Sequence, residues 1–134
     1  MKIFTVGEVL TAQDLNANFA LVSKTIAAAD FFAPVAGLTI ASGSVEVIAD
    51  KSIVWELQLN NSGGPSLAAG AQSIALGNIN APFKPRTYYS PFIGWPGSGA
   101  CFGLVNASTG QITVRWSDAA HATPAFVLGG SWPI

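Results

Sequence analysis

The chain has 134 residues and a formal net charge of −1; half of its residues are hydrophobic and only 10% are charged. Because soluble domains typically carry about 25% charged residues, this deficit favours a protein whose surface is covered in an assembly over a lone domain with a neutral surface. The balance of charge and the lack of a basic run exclude the electrostatic footprint of a nucleic-acid-binding protein.

Cysteine content and hydropathy exclude further classes. Cys101 is the only cysteine, so an internal disulfide and a CxxC metal site are excluded. Glu8 interrupts the short apolar stretch at the amino terminus, so that stretch is not typical of a signal peptide. No run approaches the roughly 20 apolar residues needed to span a bilayer. We therefore expect cytoplasmic synthesis without a secretion signal and without membrane insertion.

The first predicted elements are a short extended arm and a helix. Residues 1–9 contain β-forming side chains and predict the arm. Thr11 stands where an N-cap belongs, and Asp14, three residues later, completes a capping-box-like pair. The helix is predicted from Ala12 to Ala29. Its apolar seam advances in steps of four and three residues: Leu15, Phe19, Val22, Ile26 and Ala29.

This seam has two interpretations. In one, the helix lies over the sheet of its own chain; in the other, it pairs with copies of itself, as in a coiled coil. Two heptads are marginal in isolation, so pairing would require an oligomeric domain behind the helix. We favour self-association through four seam residues, although their mixed types do not distinguish a trimer from a dimer. These residues are Leu15, Phe19, Val22 and Ile26.

From Ser44 onward the hydrophobic period changes to two, which is typical of strands with one buried face. A hairpin is predicted over 44–59 with its turn at Asp50–Lys51. Further strands are predicted over 73–76, 87–93 (an edge strand), 100–105, 111–117 and 125–128, and a turn at Asn106–Gly110 places Gly110 at positive φ. The predicted fold is therefore mainly β: an antiparallel β-sandwich or jelly-roll-like head over 33–134, preceded by an arm and oligomerisation helix over 1–32.

The residue types that support catalysis are sparse. His121 lies in a predicted loop and lacks a GxSxG partner motif. Glu46 and Glu56 lie on adjacent predicted strands and could face each other, the minimum for glycoside hydrolysis, but both fall on the polar face of their hairpin. One histidine and one cysteine do not make a metal-ligand cluster. We therefore predict no catalytic residue, no metal and no cofactor.

The aromatic residues are the remaining candidates for a binding site. Trp55 and Trp116 alternate with aliphatic residues and are predicted to lie in the core. Tyr88, Tyr89 and Trp95 lie in a Pro- and Gly-rich stretch, where exposed rings could stack on sugars. The alternative is that these three rings pack in a subunit interface, where Tyr and Trp are also enriched.

Val6–Phe19, with the sequence VGEVLTAQDLNANF, resembles a segment near the start of many bacteriophage virion proteins, including tail fibres, tail spikes and head fibres. The matching positions are Gly7, Leu10, Thr11, Ala12, Asp14, Leu15, Asn16 and Phe19. The carboxyl-terminal residues 106–134 are similar to the last hairpin and closing strand of fibre-head domains.

The resemblance implies a homotrimer in the virion, made in the cytoplasm of a bacterial host. Its amino-terminal segment would seat on a capsid or tail protein through Ile3, Phe4, Val6 and Val9, and its β head would project outward. Only Phe31–Gly43 separates the predicted helix from the first strand, so a long shaft is excluded. A short head fibre, capsid decoration protein or short tail fibre is therefore favoured. The alternative is a module that binds a host-surface glycan through Tyr88, Tyr89 or Trp95.

Overall fold

The computed structural model describes residues 3, 5–9, 11–14, 23–69, 72–94, 101–116, 120 and 125–134. Within these residues the chain forms nine strands and a short helix, α1 (Ala28–Phe31), and residues 12–14 are also helical. The strands are β1 (Ser23–Thr25), β2 (Phe32–Pro34), β3 (Leu38–Ile48), β4 (Ser52–Asn61), β5 (Gln72–Ile79), β6 (Phe92–Gly94), β7 (Cys101–Val105), β8 (Gln111–Trp116) and β9 (Phe126–Pro133).

The strands form two antiparallel sheets. A five-stranded sheet has the order β1-β3-β4-β9-β6, and a four-stranded sheet has the order β2-β5-β8-β7. Apolar side chains from both sheets form a single buried cluster, so the two sheets pack as a sandwich. The predicted fold class, a mainly β protein with a β-sandwich, is confirmed.

The longest hairpin, β3–β4, shows how the sequence pattern selects the buried face. The side chains of Ile53, Trp55, Leu57 and Leu59 are buried, while the residues between them are exposed. Ala49 and Asp50 have φ values of 50° and 54°, and the Ile48 carbonyl accepts a 3.0 Å hydrogen bond from the Lys51 amide. Two central residues with positive φ match a type I′ turn, which suits the twist of paired strands. The predicted hairpin is confirmed, with strands longer than expected.

One end of the core is an aromatic cluster. The rings of Phe31 and Trp55 have centroids 5.3 Å apart, and those of Trp55 and Trp132 are 5.4 Å apart. The Tyr89 ring meets the Trp132 ring edge-on at 4.9 Å. Phe83 also contacts Phe31, and its carbonyl accepts a 2.8 Å hydrogen bond from the Trp132 indole. This cluster joins β4, β9, α1 and the loop before β6, so it ties distant parts of the chain together.

The later strands match the prediction with two adjustments. Gly110, in the β7–β8 turn, has a φ of 76° as expected. The predicted strand over 87–93 is reduced to β6, with Tyr89 forming an isolated bridge to Val105. The last strand continues past Leu128, because Gly129 and Gly130 pair with β4 instead of turning. A side chain on residue 130 would collide with the Tyr89 ring, so the glycine at this position allows that ring to pack against β9.

The amino-terminal helix is shorter than predicted. The capping pair is confirmed: the Asp14 amide donates a 3.1 Å hydrogen bond to Thr11 Oγ1, and residues 12–14 are helical. A continuous helix from Ala12 to Ala29 is wrong, because Ser23–Thr25 is a strand paired with β3. The Ile26 amide also donates a 2.9 Å hydrogen bond to the Val45 carbonyl. The open edge of β3 offers backbone partners to this segment, and tertiary pairing overrides the helical period.

The same pairing changes the role of residues 23–32, which the sequence pattern assigned to the attachment segment. They contribute β1, α1 and the fully buried Phe31 and Phe32 to the sandwich. Ile26, predicted to line an intersubunit seam, packs against the core of its own chain. Its position matches the alternative in which this segment covers the chain's own sheet. Leu15, Phe19 and Val22 lie outside the described residues.

Candidate functional site

The amino-terminal leader, residues 3 and 5–9, exposes its apolar side chains. Ile3 is 88% exposed, Val9 is 80% exposed, and Val6 is fully exposed. The sequence predicted an extended leader, but the described part of the leader contains a turn. A turn closes between Thr5 and Glu8, whose amide donates a 3.1 Å hydrogen bond to the Thr5 carbonyl. The Thr5 amide in turn donates to the Glu8 carboxylate at 3.2 Å, so the turn orders the leader locally.

Gly7 allows this turn, since its φ of 86° lies in the left-handed region. The turn separates Ile3 from Val9 along the chain and leaves Val6 at its exposed corner. The fourth predicted docking residue, Phe4, lies outside the described residues. The leader therefore carries three exposed aliphatic side chains within seven residues, and a partner protein can cover such residues.

The outward side of the five-stranded sheet carries two carboxylates. Glu46 stands opposite Val54 on the neighbouring strand, and Glu56 stands opposite Ser44 and Gly129. The two carboxylates, which the sequence suggested could face each other, therefore lie on one face in diagonal positions and not directly opposite one another. We call this surface the acidic face and define it by Glu46, Val54, Glu56, Val127 and Gly129.

Two hollows flank Glu56 on the acidic face. The larger, about 460 Å³, lies over Gly129; the other residues that line it are Val54, Trp55, Tyr89, Val127, Gly130 and Ser131. The smaller, about 220 Å³, lies on the β3 side and is lined by serines and glycine of that strand together with Gln58 and Val127. The larger hollow exists because Gly129 places no side chain between the side chains of its neighbours on the outward face.

The outward side of the four-stranded sheet has the opposite character. Phe102 is 66% exposed, and Leu104 is exposed beside it. Phe102 pairs with Arg115 and Leu104 pairs with Thr113 across β7–β8. We call this surface the Phe102 face and define it by Phe102, Leu104, Thr113 and Arg115.

The Phe102 face was missed by sequence reasoning, although a signal for it is present in the sequence. Strand alternation alone leaves open whether Phe102 or its neighbour Gly103 points inward. The turn at Asn106–Gly110 sets the register of the hairpin and puts Phe102 on the side of Arg115. The structure shows that Gly103 points inward, where a Cβ would collide with Ile93.

The two tyrosines of the predicted glycan site, Tyr88 and Tyr89, lie in different environments. Tyr88 is 64% exposed. Tyr89 is half-buried against Trp132, and its hydroxyl accepts a 3.2 Å hydrogen bond from the Ser131 amide. Trp95 lies outside the described residues. A groove of about 350 Å³ runs beside Tyr89 and is lined also by Arg86, Thr87 and the β9 end.

Arg86 is held at this groove, because its guanidinium donates a 2.8 Å hydrogen bond to the main-chain carbonyl of Ile134. The groove therefore combines an aromatic edge, a hydroxyl and a fixed cation. Tyr89 packs against the core, since its ring contacts Trp132 and its hydroxyl accepts a hydrogen bond from the Ser131 amide. Of the two predicted tyrosines, Tyr88 is the one whose ring is exposed and could stack on a ligand.

The other residues weighed for chemistry are distributed as follows. His121 lies outside the described residues, and the side chain of Cys101 on β7 is likewise not described. Within the described part of the chain, no group of three or more His, Cys, Asp or Glu side chains is placed to hold a metal ion. None of the helices seen there has the length and apolar character needed to cross a membrane.

Comparison of the whole sequence with protein-family models and with curated proteins found no match.

Proposed function

We propose that the protein is a non-enzymatic structural component of a bacteriophage virion. In this proposal it is a short oligomeric appendage, either a head fibre, a capsid decoration protein or a short tail fibre. Its amino-terminal segment anchors it to a capsid or tail protein, and the β-sandwich is exposed on the particle. The observation that carries the proposal is the exposed apolar leader with Ile3, Val6 and Val9, directly ahead of the capped turn at Thr11.

Two further features support this proposal. The leader and the capped turn fall within the Val6–Phe19 segment that resembles the start of phage appendage proteins. The charged content of only 10% fits a chain whose surface is covered on the particle. Docking would also bury the exposed aliphatic side chains of the leader, and burial of each such side chain stabilises a complex by about 1.5–3 kcal/mol.

Self-association strengthens such an anchor. Three small apolar contacts give weak binding for one copy, because association costs several kcal/mol in lost translational and rotational freedom. In a homotrimer, three leaders act at high effective concentration, and avidity can exceed the affinity of one leader by orders of magnitude. The proposed partners are therefore other copies of the chain and one capsid or tail protein.

The test is incorporation of leader variants into particles. Deletion of residues 1–10 should leave a folded, self-associating protein and abolish its incorporation into virions. The triple variant Ile3→Ser, Val6→Ser and Val9→Ser should behave in the same way. Its matched control, Ile3→Val, Val6→Ile and Val9→Ile, keeps the leader apolar and should incorporate normally. Decoration of particles by the truncated protein would show that the anchor lies elsewhere.

A second candidate function is recognition of a host-surface glycan. It is favoured by two separate observations, the exposed ring of Tyr88 and the groove lined by Arg86, Thr87 and Tyr89, since flat rings and fixed polar groups are typical of ligand sites. On a glycan array, binding that is lost in Tyr88→Ala and Trp95→Ala would support this function. Silence across host polysaccharides would support the structural role.

A further inference from the structure

The two outward faces of the sandwich have opposite charge. On the described strands, the acidic face carries Glu46 and Glu56 and the Phe102 face carries Arg115. Within the described residues, neither Glu56 nor Arg115 has an ion-pair partner in its own chain. The two faces lie on opposite sides of each molecule, because they belong to the outward sides of two packed sheets.

The two faces also differ in shape. Phe102 stands out from the four-stranded sheet, being 66% exposed. The acidic face carries the hollow of about 460 Å³ over Gly129, whose lining includes the apolar side chains of Val54 and Val127 and the carboxylate-bearing Glu56. Phe102 lies directly opposite Arg115 across β7–β8, so the side chains of such a pair start about 5 Å apart. A projecting ring beside a cation on one face matches a hollow beside a carboxylate on the other.

We propose that the acidic face of one copy packs against the Phe102 face of a second copy. Phe102 enters the hollow over Gly129, and Arg115 pairs with Glu56 in its lining. Leu104 and Val54 add apolar area around this contact. The contact is heterologous, because each copy presents one face of each kind, and further copies can be added until the assembly closes or extends.

This inference rests on the proposed function, since it names the surface through which the appendage self-associates. It places that surface on the sandwich, where Phe102 and Arg115 are exposed. The proposed contact also explains why β7, an edge strand, carries the exposed ring of Phe102. In a sandwich that does not self-associate, a buried ring or a polar residue would be expected at this position.

Single-face variants give the first test, by sedimentation velocity across a concentration series of the full chain. Phe102→Ser should weaken self-association about thirtyfold, as expected for an aromatic anchor at the centre of an interface. Arg115→Glu and Glu56→Arg should each weaken it about tenfold, because each places like charges in contact. The matched control is Lys51→Glu, an exposed cation in the β3–β4 turn, which should associate like the wild type.

The decisive test mixes two variants, each with one damaged face. Protein X carries Phe102→Ser and Arg115→Glu and retains an intact acidic face. Protein Y carries Glu56→Arg and Gly129→Leu, which fill and reverse the acidic face, and retains an intact Phe102 face. Each alone should be monomeric, and an equimolar mixture should form a one-to-one dimer, because one intact pair of faces remains.

Monomers in the mixture would overturn the inference, as would assembly of X or Y alone at the wild-type strength. Monomeric wild-type protein throughout the series would also overturn it. These outcomes are separate from failure of the proposed function, because the size of the purified protein reports the face contact and particle incorporation of the leader variants reports the anchor. Loss of the face contact with normal leader-dependent incorporation would leave the proposed function standing.

Discussion

The leader and the aromatic end of the core both consist of apolar side chains, but those of the leader are exposed and those of the aromatic cluster are buried. Ile3, Val6 and Val9 are exposed, whereas Phe31 and Trp132 are buried among other rings. The leader closes its own small turn, while the aromatic cluster collects side chains that are up to about 100 residues apart in the chain. An apolar residue is thus buried only where the fold brings other side chains against it.

The largest effect is expected in the core. Phe31→Ala should lower the free energy of unfolding by about 3–5 kcal/mol, because Phe31 is fully buried and its ring contacts Trp55, Phe83 and Trp132. Chemical denaturation followed by tryptophan fluorescence measures this loss. Tyr88→Ala is the control, since its exposed ring should contribute within about 0.5 kcal/mol. Equal effects of the two substitutions would contradict the assignment of the aromatic cluster as the core.

A smaller effect is expected where the β2–β3 turn meets the loop after β4. Gly37 has a φ of 85°, and a Cβ there would lie 2.2 Å from the Gly64 amide nitrogen. Gly37→Ala should therefore cost about 2–3 kcal/mol, from both backbone strain and a collision. Gly63→Ala is the matched control, because Gly63 also has positive φ but has open space around it. Denaturation of both variants separates the collision from the strain.

The β3–β4 turn should respond in the opposite direction. Ala49 adopts a φ of 50°, a strained conformation for a residue with a Cβ. Ala49→Gly should raise the free energy of unfolding by about 0.5–1 kcal/mol, because relief of the left-handed strain outweighs the added entropy of the unfolded chain. A differential scanning calorimetry trace with a lower melting temperature would contradict the type I′ turn.

The smallest effect is expected in the leader. The triple serine variant at Ile3, Val6 and Val9 should change the free energy of unfolding by less than about 0.5 kcal/mol, because these side chains are exposed in the isolated chain. The same variant should lose incorporation into particles. A large drop in stability would show that the leader packs on the sandwich, and the comparison between the two regions would then fail.

Local patterns predicted the elements that depend on near neighbours. The period-two alternation around Trp55 identified the buried face of β4, and the turn residues located Gly110 at positive φ. The Thr11–Asp14 pair was also predictable, because a capping box spans only three residues. The helix period through Ile26 was misleading, since a strand edge on β3 competed for that segment and is not visible in its local sequence.

The candidate surfaces were predictable in part. The leader's apolar residues were identified from their types, and their exposure is seen in the structure. The hollow over Gly129 was missed, because a Gly-Gly pair after Leu128 is typical of a turn in sequence and becomes a depression only when β9 pairs with β4. The diagonal relation of Glu46 and Glu56 likewise depends on the register of two strands.

The sequence by itself determined the β class, the main hairpin, the turn chemistry and the capped start of a helix, because these follow from side-chain periods and hydrogen bonds within a few residues. Only the tertiary structure decided that residues 23–32 complete the sandwich, that Tyr89 belongs to the core, and that Phe102 and Glu56 lie on opposite outward faces. Those outcomes depend on which distant strand edge and which buried ring are available, and no local pattern carries that information.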